Sequence, residues 1–424
     1  MTVIKHNDSS AFYHRICIVV IWLIVFYSSI IQYKFIEIPH GMLLLGSALL
    51  FFFYLANIGK PFVYRESITE ENIYMLWFMA YMLATGLLFS PDRSNHISQW
   101  MTCLEYLFVQ IVIAFIIQKT GTDTFHILLL IEALVLACIF VIDPVEYAAS
   151  GRYSIASDVN PNGLGLGFAA GIWAVLYRQH KTKQPLIITG ALVALFGYCI
   201  LMTGSRKSLL GTGLILILWL LFCFLPSLNE KGEEKGVAAF FIMLIIIVFI
   251  GYEFVNLYAN TTISSRMDDL FFEVSKGERS NMYRDGYELI KENPLFGFGF
   301  QGFQYYYGSY SHSTLVEIPV SGGIIGALLY FYIYYYSLKK IIYLHNKTKR
   351  KKCYNAENIR IKMVLILWIA MVFNTICIIH PYQFDSCILF GIIFGETASV
   401  KKTLNMKQKT QETSKVGSRY LKYE

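Results

Sequence analysis

Long runs of apolar residues recur from one end of this 424-residue chain to the other. A helix needs about 20 mostly apolar residues to cross the hydrocarbon core of a bilayer. Runs of this kind predict about twelve transmembrane helices, near residues 16–33, 41–58, 73–90, 98–118, 125–142, 163–177, 185–202, 209–225, 237–258, 314–338, 361–380 and 383–399. The runs lack the alternation of barrel strands, and backbone groups in lipid must be paired internally. The predicted fold class is therefore all-α, a polytopic membrane helix bundle.

Charged residues are scarce in this chain. They make up 15% of it, against 55% for hydrophobic residues, whereas soluble domains carry about a quarter charged residues. Because the apolar runs are spread along the whole length, residues 1–424 are predicted to form a single polytopic membrane domain. All of the eight cysteines except Cys353 lie in predicted spans, and their spacing fits neither a disulfide framework nor a metal site.

The 36 lysines and arginines give the predicted spans a direction. Cytoplasmic loops are richer in these residues than outer loops. With the N-terminus inside and strict alternation, most of them fall on the cytoplasmic side, including a basic loop at 339–360 and a basic tail at 400–424. Both termini are therefore predicted to be cytoplasmic. Membrane lipids with anionic headgroups are a sufficient partner for the net charge of +7, and no nucleic acid is expected to bind.

Three segments predicted to lie on the outer face carry most of the polar motifs. They are 143–162, the short turn 203–207 and a long loop at 259–313 between the ninth and tenth spans. Loops of this length in a compact protein are usually functional. The long loop is predicted to contain a helix with Ser280 as its N-cap and with the Asn293-Pro294 pair ending it after residue 292.

Arg206 and Lys207 follow a Gly-Ser turn at the outer end of a predicted span. Charged residues at membrane depth are costly and tend to be functional or paired. A guanidinium group also suits bidentate binding of phosphate. The two residues are therefore a candidate anion site. The alternative is an interfacial arginine whose side chain reaches the lipid headgroups.

Arg284 and His312 are the candidate reactive residues of the long loop. Arg284 could bind an anion, or it could form an ordinary surface ion pair with Glu288. His312 could serve as a general base near neutral pH, or it could be a polar anchor at the membrane interface. Glu317, near the start of the next span, could orient His312, contact a sugar or favour the helix start.

Acidic residues also occur within the predicted spans. Glu105 and Glu132 lie inside two of them, and Asp385 lies near the outer end of the last. Such carboxylates indicate proton relays or polar cavities, unless they pair with each other or with an arginine of the bundle. Close helix packing in the tenth span is predicted at Gly322, Gly323 and Gly326.

Several of these motifs, in their order along the chain, resemble the O-antigen ligase and Wzy-type polysaccharide polymerase family. The matching pieces are Gly151-Arg152, Asn160-Pro161-Asn162-Gly163, Thr203-Gly204-Ser205-Arg206, Arg284, Asn293-Pro294-Leu295-Phe296-Gly297-Phe298-Gly299, His312-Ser313-Thr314-Leu315-Val316-Glu317 and Gly322-Gly323-Ile324-Ile325-Gly326. The resemblance covers roughly residues 150–330 by motif, and the whole chain by its layout of spans and one large outer loop.

The resemblance implies an enzyme that moves a glycan from undecaprenyl pyrophosphate to an acceptor hydroxyl at the outer face of the bacterial cytoplasmic membrane. It implies inverting chemistry without a metal or another cofactor. Arg206 and Arg284 would bind the pyrophosphate, and His312 would be the base or would position the acceptor. The residues expected to contact substrate are Arg152, Asn160, Asn162, Lys207 and Glu317. Many relatives have asparagine where this chain has Ser313, which leaves the acceptor contact open.

Three functions are compatible with these features. A polymerase would join lipid-linked repeat units of O-antigen, capsule or exopolysaccharide, beside a flippase and a chain-length regulator as partners. It is favoured because a chain rich in Ile, Lys, Tyr and Phe is typical of low-GC genomes, and many such bacteria lack lipid A. A ligase would instead move the glycan to a terminal acceptor such as lipid A core. A lipid-linked oligosaccharide flippase is the third, although the internal repeats of many transporters are not visible in the sequence.

Overall fold

A computed structural model of the chain describes residues 7–28, 40–57, 68–121, 123–147, 152–157, 159–226, 278–349 and 355–420. Within these ranges the chain is a bundle of α-helices, as predicted, with one small sheet that the sequence did not indicate. The predicted ninth span, 237–258, lies outside the described residues, and so does the first part of the long loop, 259–277.

The N-terminal part of the chain forms eight helices and two short strands within the described ranges. They are α1 (Asn7–Phe26), α2 (His40–Asn57), α3 (Glu70–Phe89), α4 (Arg93–Thr120), α5 (Asp123–Ile142), β1 (Val145–Tyr147), β2 (Arg152–Ser154), α6 (Pro161–Thr182), α7 (Leu186–Met202) and α8 (Arg206–Trp219). Helix α8 continues directly into a π-helical turn, Leu220–Phe224.

The C-terminal part, described again from residue 278, consists of helices joined by short connections. They are α9 (Glu278–Glu292), α10 (Gly302–Tyr307), α11 (Thr314–Lys349), α12 (Asn355–Asn374) and α13 (Phe384–Tyr420). A single 3-10 turn, His380–Tyr382, separates α12 from α13. Because α11 and α13 extend well past the predicted spans, much of the basic loop and of the basic tail is helical.

Each predicted span that falls on described residues coincides with one of these helices. The short runs at 163–177 and 383–399 belong to longer helices, α6 with 22 residues and α13 with 37. Within the described ranges, five helices are long and apolar enough to cross a membrane, namely α3, α4, α5, α8 with its π-turn, and α11. The all-α membrane bundle is confirmed, while the total of about twelve crossings stays a prediction.

Helices α4 and α13 pack closely through two glycines spaced one helical turn apart. A Cβ atom on Gly391 would lie 2.9 Å from Ile113 Cγ2, and one on Gly395 would lie 2.8 Å from Ile117 Cβ. Small residues at this spacing let two membrane helices approach each other. The contact joins parts of the chain that are far apart in sequence.

Helix α11 is broken at Gly323, whose backbone has φ +62° and ψ −166°. The prediction of close helix packing holds for Gly322 and Gly326, because a Cβ atom on either would crowd Tyr81 or Met82 of α3. For Gly323 the prediction is wrong, because this glycine does not pack against another helix. A Cβ atom there would lie 2.3 Å from the main-chain carbon of Leu295, so this glycine is needed beside another backbone and at a positive φ.

The segment Pro294–Gly299 lies along the break in α11. The amide of Phe298 donates to the carbonyl of Val320 at 2.9 Å, and the amide of Gly299 donates to the carbonyl of Ser321 at 2.8 Å. These bonds satisfy carbonyl groups that the broken helix leaves without intrahelical partners. The segment thereby fixes the end of the long loop to the bundle.

The predicted loop helix is present as α9. It ends at Glu292 as predicted, and the side-chain amide of Asn293 then donates to the carbonyl of Gly297 at 2.6 Å. The prediction that Ser280 caps its start is wrong, because the chain is already helical at Glu278.

Buried ion pairs join the helices at the end of the bundle that holds the basic loop and tail. Lys340 bonds both carboxylate oxygens of the fully buried Glu71 at 3.0 Å. Arg360 pairs with the buried Glu396, which also accepts a bond from the Tyr177 hydroxyl at 2.9 Å. Such pairing is required when charges are removed from water. We call the opposite end of the bundle, which carries the segments 143–147, 152–157, 159–162, 203–207 and 278–313, the site end.

Candidate functional site

A cavity of about 970 Å³ opens at the site end of the bundle. Its walls come from α4, α5, α6, α8 and the start of α13, together with residues just before α11. Four of the residues singled out in the sequence as site candidates line it, namely Asn160, Asn162, Lys207 and His312. Segments far apart in the sequence therefore converge on one polar space.

Asn160 and Asn162 lie at the start of α6. The side chain of Asn160 is the N-cap, and its Oδ1 accepts a bond from the amide of Asn162 at 2.9 Å. Pro161 occupies the first turn, where a backbone N–H would have no partner within the helix, so its absence costs no hydrogen bond. The Asn-Pro-Asn motif therefore begins a helix whose first turn lines the cavity.

Arg152 connects this helix start to the turn before α8. It lies in β2, which pairs antiparallel with β1, and its side chain is buried. Its Nε donates to the carbonyl of Thr203 at 3.0 Å, and one terminal nitrogen donates to Asn162 Oδ1 at 2.9 Å. The predicted substrate-binding residue thus has the contacts of a residue that positions its neighbours.

The first turn of α8 also lines the cavity. Ser205 caps this helix, and its hydroxyl lies 2.8 Å from that of Ser208. The two helix starts touch, because a Cβ atom on Gly165 of α6 would lie 2.6 Å from the Ser208 hydroxyl. Helix N-termini carry partial positive charge and free amide groups. Two of them therefore lie next to each other at the cavity wall.

Lys207 adds a full positive charge at this wall. Its ammonium group donates to the carbonyl of Cys377 at 3.3 Å, and its side chain is half-buried. Arg206, the adjacent residue, is also half-buried but does not line the cavity. Of the two cations at the start of α8, the lysine is thus the one whose side chain reaches the cavity.

Arg284 does not line the cavity. Its side chain is 70% exposed on α9, where it donates to Asn281 Oδ1 at 3.2 Å and lies 3.9 Å from Asp285. The surface pair with Glu288 considered from the sequence is not formed, because Glu288 bonds Lys291 at 2.9 Å instead. The structure therefore does not bring Arg284 together with the other candidates.

His312 lies at the rim of the cavity in an unusual backbone conformation. Its φ is +55°, in the left-handed region, and its ring centroid lies 4.2 Å from that of Tyr310. Both rings line the cavity. The imidazole is half-buried, so it faces the space in which a substrate would lie.

Glu317 holds the backbone beside His312 rather than the imidazole itself. Its fully buried carboxylate accepts bonds from the Ser311 amide at 3.2 Å and the Ser311 hydroxyl at 2.7 Å. The Tyr382 hydroxyl donates to its other oxygen at 3.1 Å. Burial, with the Glu317 charge second, raises the pKa of Tyr382 well above its usual range, so this hydroxyl keeps its proton and donates.

Ser313 is part of the same support. Its hydroxyl donates to the carbonyl of Thr375 at 3.2 Å and receives a bond from the Tyr283 hydroxyl at 3.2 Å. The residue is buried and does not line the cavity. The hydroxyl of Ser313 is therefore occupied by contacts within the protein.

Sequence reasoning missed several glutamines of the cavity wall. The side-chain amide of Gln301 donates to Gln99 Oε1 at 2.9 Å, and both residues line the cavity with Gln304 and Gln383. The backbone amide of Gln301 also donates to the Tyr382 hydroxyl at 3.2 Å. The available signal was the position of Gln301 immediately after the Gly-Phe-Gly-Phe motif.

The three acidic residues noted within the predicted spans also face this cavity. Glu105, Glu132 and Asp385 all line its wall, so the polar-cavity interpretation holds for each of them. In the described ranges, no group of three or more His, Cys, Asp or Glu side chains has an arrangement that could hold a metal ion.

One family of known proteins matches part of this chain. No curated protein matches the chain. Residues 190–331 match the family described as O-antigen ligase (Wzy_C), a region that includes the start of α8, helix α9, the Pro294–Gly299 segment and the broken part of α11. Residues 190–331 therefore contain a domain similar to the O-antigen ligase family, whose members are membrane enzymes of the glycosyltransferase kind.

Proposed function

We propose that the protein is a polymerase of bacterial cell-surface polysaccharide, such as O-antigen, capsule or exopolysaccharide. It takes a glycan from undecaprenyl pyrophosphate and transfers it to a hydroxyl of another lipid-linked repeat unit at the outer face of the cytoplasmic membrane. One observation supports this most directly. Lys207, His312 and the first turns of α6 and α8 share a single cavity at one end of a membrane bundle.

The reaction needs positive charge where the leaving group departs. The acceptor oxygen attacks the anomeric carbon with inversion, the bond from that carbon to the phosphate oxygen breaks, and undecaprenyl pyrophosphate leaves with the electron pair. Fixed cations and helix N-termini aimed at that growing charge lower the barrier. Lys207 and the starts of α6 and α8 are assigned this role, with Arg206 beside them.

His312 is assigned the role of base. A sugar hydroxyl is a poor nucleophile, and an imidazole within hydrogen-bond reach can take its proton during attack. Glu317 positions the base through Ser311, and Arg152 positions Asn162 and the turn before α8. Arg284 is exposed on α9 and does not line the cavity, so we give it a smaller role than Lys207.

The proposal places the site end outside, both termini in the cytoplasm, and the protein after a flippase that delivers the lipid-linked units. A chain-length regulator is the other proposed partner. A ligase would use the same leaving-group site and differ in its acceptor. The basis for preferring polymerisation remains the low-GC composition of the chain.

The test uses the source strain with the gene deleted and complemented by variants. Under the proposal, His312→Ala and Lys207→Ala abolish polymer, while single lipid-linked repeat units accumulate on the outer side. Polymer of normal length in both variants would contradict the site. Repeat units trapped on the cytoplasmic side would indicate a flippase, and full-length glycan left on undecaprenyl pyrophosphate would indicate a ligase.

A further inference from the structure

Glu105, Glu132 and Asp385 line the cavity and have no role in the transfer described above. Glu105 of α4 and Asp385 of α13 both line the cavity, and Glu105 is only 4% exposed. Among the described residues, neither carboxylate has a hydrogen-bond or ion-pair partner. Burial of a carboxylate without such a partner is costly, so these groups are suited to a ligand that supplies the missing donors.

The packing of α4 against α13 brings the two residues to one place. Tyr106 and Phe384, their neighbours in sequence, form an edge-to-face pair with centroids 5.4 Å apart. Both carboxylates also lie within electrostatic reach of the Cys387 thiol. The Gly391 and Gly395 contacts join the same two helices further along their length.

Neutral hydrogen-bonding groups also line this cavity. Gln99, Gln304 and Gln383 line the same cavity, and Tyr106 and Phe384 add aromatic surface. Carboxylates and amides supply several acceptors and donors for a ligand rich in hydroxyl groups. They are unsuited to a phosphate, because like charges repel. Glu105 and Asp385 lie on α4 and α13, whereas Lys207 lies on α8, so these carboxylates and the lysine come from different helices of the cavity wall.

We propose that Glu105 and Asp385 form a sugar-binding subsite, in which their oxygens accept hydrogen bonds from hydroxyl groups of the glycan on the lipid carrier. This inference rests on the proposed function. The pyrophosphate lies at the wall with Lys207, and the sugar extends toward the carboxylates. The difference in charge between Lys207 and the carboxylates orients the substrate, and the sugars are selected for free hydroxyl groups facing α4 and α13.

The experiment measures binding to the purified full-length protein in lipid nanodiscs with two probes. One is undecaprenyl pyrophosphate, and the other is the lipid-linked repeat unit isolated from the source strain lacking this gene. Glu105→Gln and Asp385→Asn keep shape and remove charge. We expect each to weaken binding of the glycan-bearing probe about tenfold, because hydrogen bonds to charged groups are the stronger ones. Affinity for undecaprenyl pyrophosphate should not change.

The control variant is Glu288→Gln, an exposed carboxylate on α9 outside the cavity, and it should bind both probes like the wild type. Unchanged binding of the glycan-bearing probe by both cavity variants would overturn the subsite alone. An equal loss for both probes would also overturn it, and so would binding that needs Mg²⁺ or Ca²⁺ and vanishes with a chelator. If the wild type binds neither probe, the proposed function itself fails.

Discussion

The Nε atom of Arg152 donates a 3.0 Å hydrogen bond to the main-chain carbonyl of Thr203, in the turn that leads into α8. The same guanidinium bonds Asn162, so it sets the spacing of two cavity walls. We expect Arg152→Ala to lower kcat/KM about 100-fold, because small displacements of catalytic groups have effects of that size. Arg152→Lys should lose nearly as much, since one ammonium group does not reproduce the planar fork.

The measurement for Arg152 is the rate of polymer formation from isolated lipid-linked units. Arg93→Lys, at an exposed arginine at the start of α4, is the matched control and should be fully active. If Arg152→Lys were as active as the wild type, charge alone would explain the residue and its positioning role would be wrong.

Lys207 and Arg284 should differ in importance, because only Lys207 lines the cavity. We expect Lys207→Met to lower kcat about 100- to 1,000-fold, the usual effect of removing one group that stabilises a developing anion. Arg284→Ala should have a smaller effect, and Lys291→Met on the same face of α9 should have none. A larger loss in Arg284→Ala than in Lys207→Met would mean that α9 closes over the site during the reaction.

Glu317 should affect both stability and activity. Glu317→Ala leaves the Ser311 and Tyr382 donors without an acceptor, at about 1–3 kcal/mol for each unsatisfied group. Glu317→Gln keeps an acceptor oxygen and should be milder. Thermal unfolding in detergent measures the first effect, and the rate of polymer formation measures the second. Wild-type stability of Glu317→Ala would contradict the assigned network.

Gly297 and Gly323 should tolerate no side chain. A Cβ atom on Gly297 would lie 2.5 Å from the carbonyl oxygen of Val320, and both glycines have positive φ angles. We expect Gly297→Ala and Gly323→Ala to lower the yield of folded protein sharply, as measured by gel filtration. Gly190→Ala in α7, where nothing lies within 4 Å of the added atom, is the control and should fold normally. Normal yields of all three would refute this packing.

The orientation of the chain in the membrane can be tested with reporter proteins fused to it. We expect a fluorescent protein that folds only in the cytoplasm to be bright when attached after residue 424. Alkaline phosphatase, which is active only outside, should be active when fused after residue 309, in the connection before α11. An inactive phosphatase in the second fusion, made at normal level, would contradict the proposed topology.

The bundle was predictable because long apolar runs have few alternatives in a membrane. The grouping of Asn160, Lys207 and His312 followed from charge placement, which put their segments on one face. The strands β1 and β2 were not predictable, since three residues each give no periodicity. The break at Gly323 depends on a second backbone lying beside it, and a single sequence does not indicate that neighbour.

The other differences between the sequence predictions and the structure also come from contacts between segments that are far apart in the sequence. Arg284 is exposed because α9 packs its apolar face, which includes Leu289, against α11 and turns this residue toward solvent. The amphipathic pattern of α9 indicates which face is buried, but the place of the exposed face relative to the cavity depends on that packing. The proximity of Glu105 to Asp385 depends on α4 packing against α13, which lie at opposite ends of the chain. Contacts between distant helices decide both outcomes, whereas the apolar runs report only on local burial.

The left-handed backbone at His312 affects how its chemistry is measured. For alanine, the left-handed conformation costs about 1–2 kcal/mol relative to the right-handed one, because its Cβ atom crowds the backbone. Asparagine adopts the left-handed conformation more readily. An alanine variant therefore removes the imidazole and also distorts the chain between Ser311 and Ser313. Comparing His312→Asn with His312→Ala divides the total loss into a part due to the missing ring and a part due to the altered main chain.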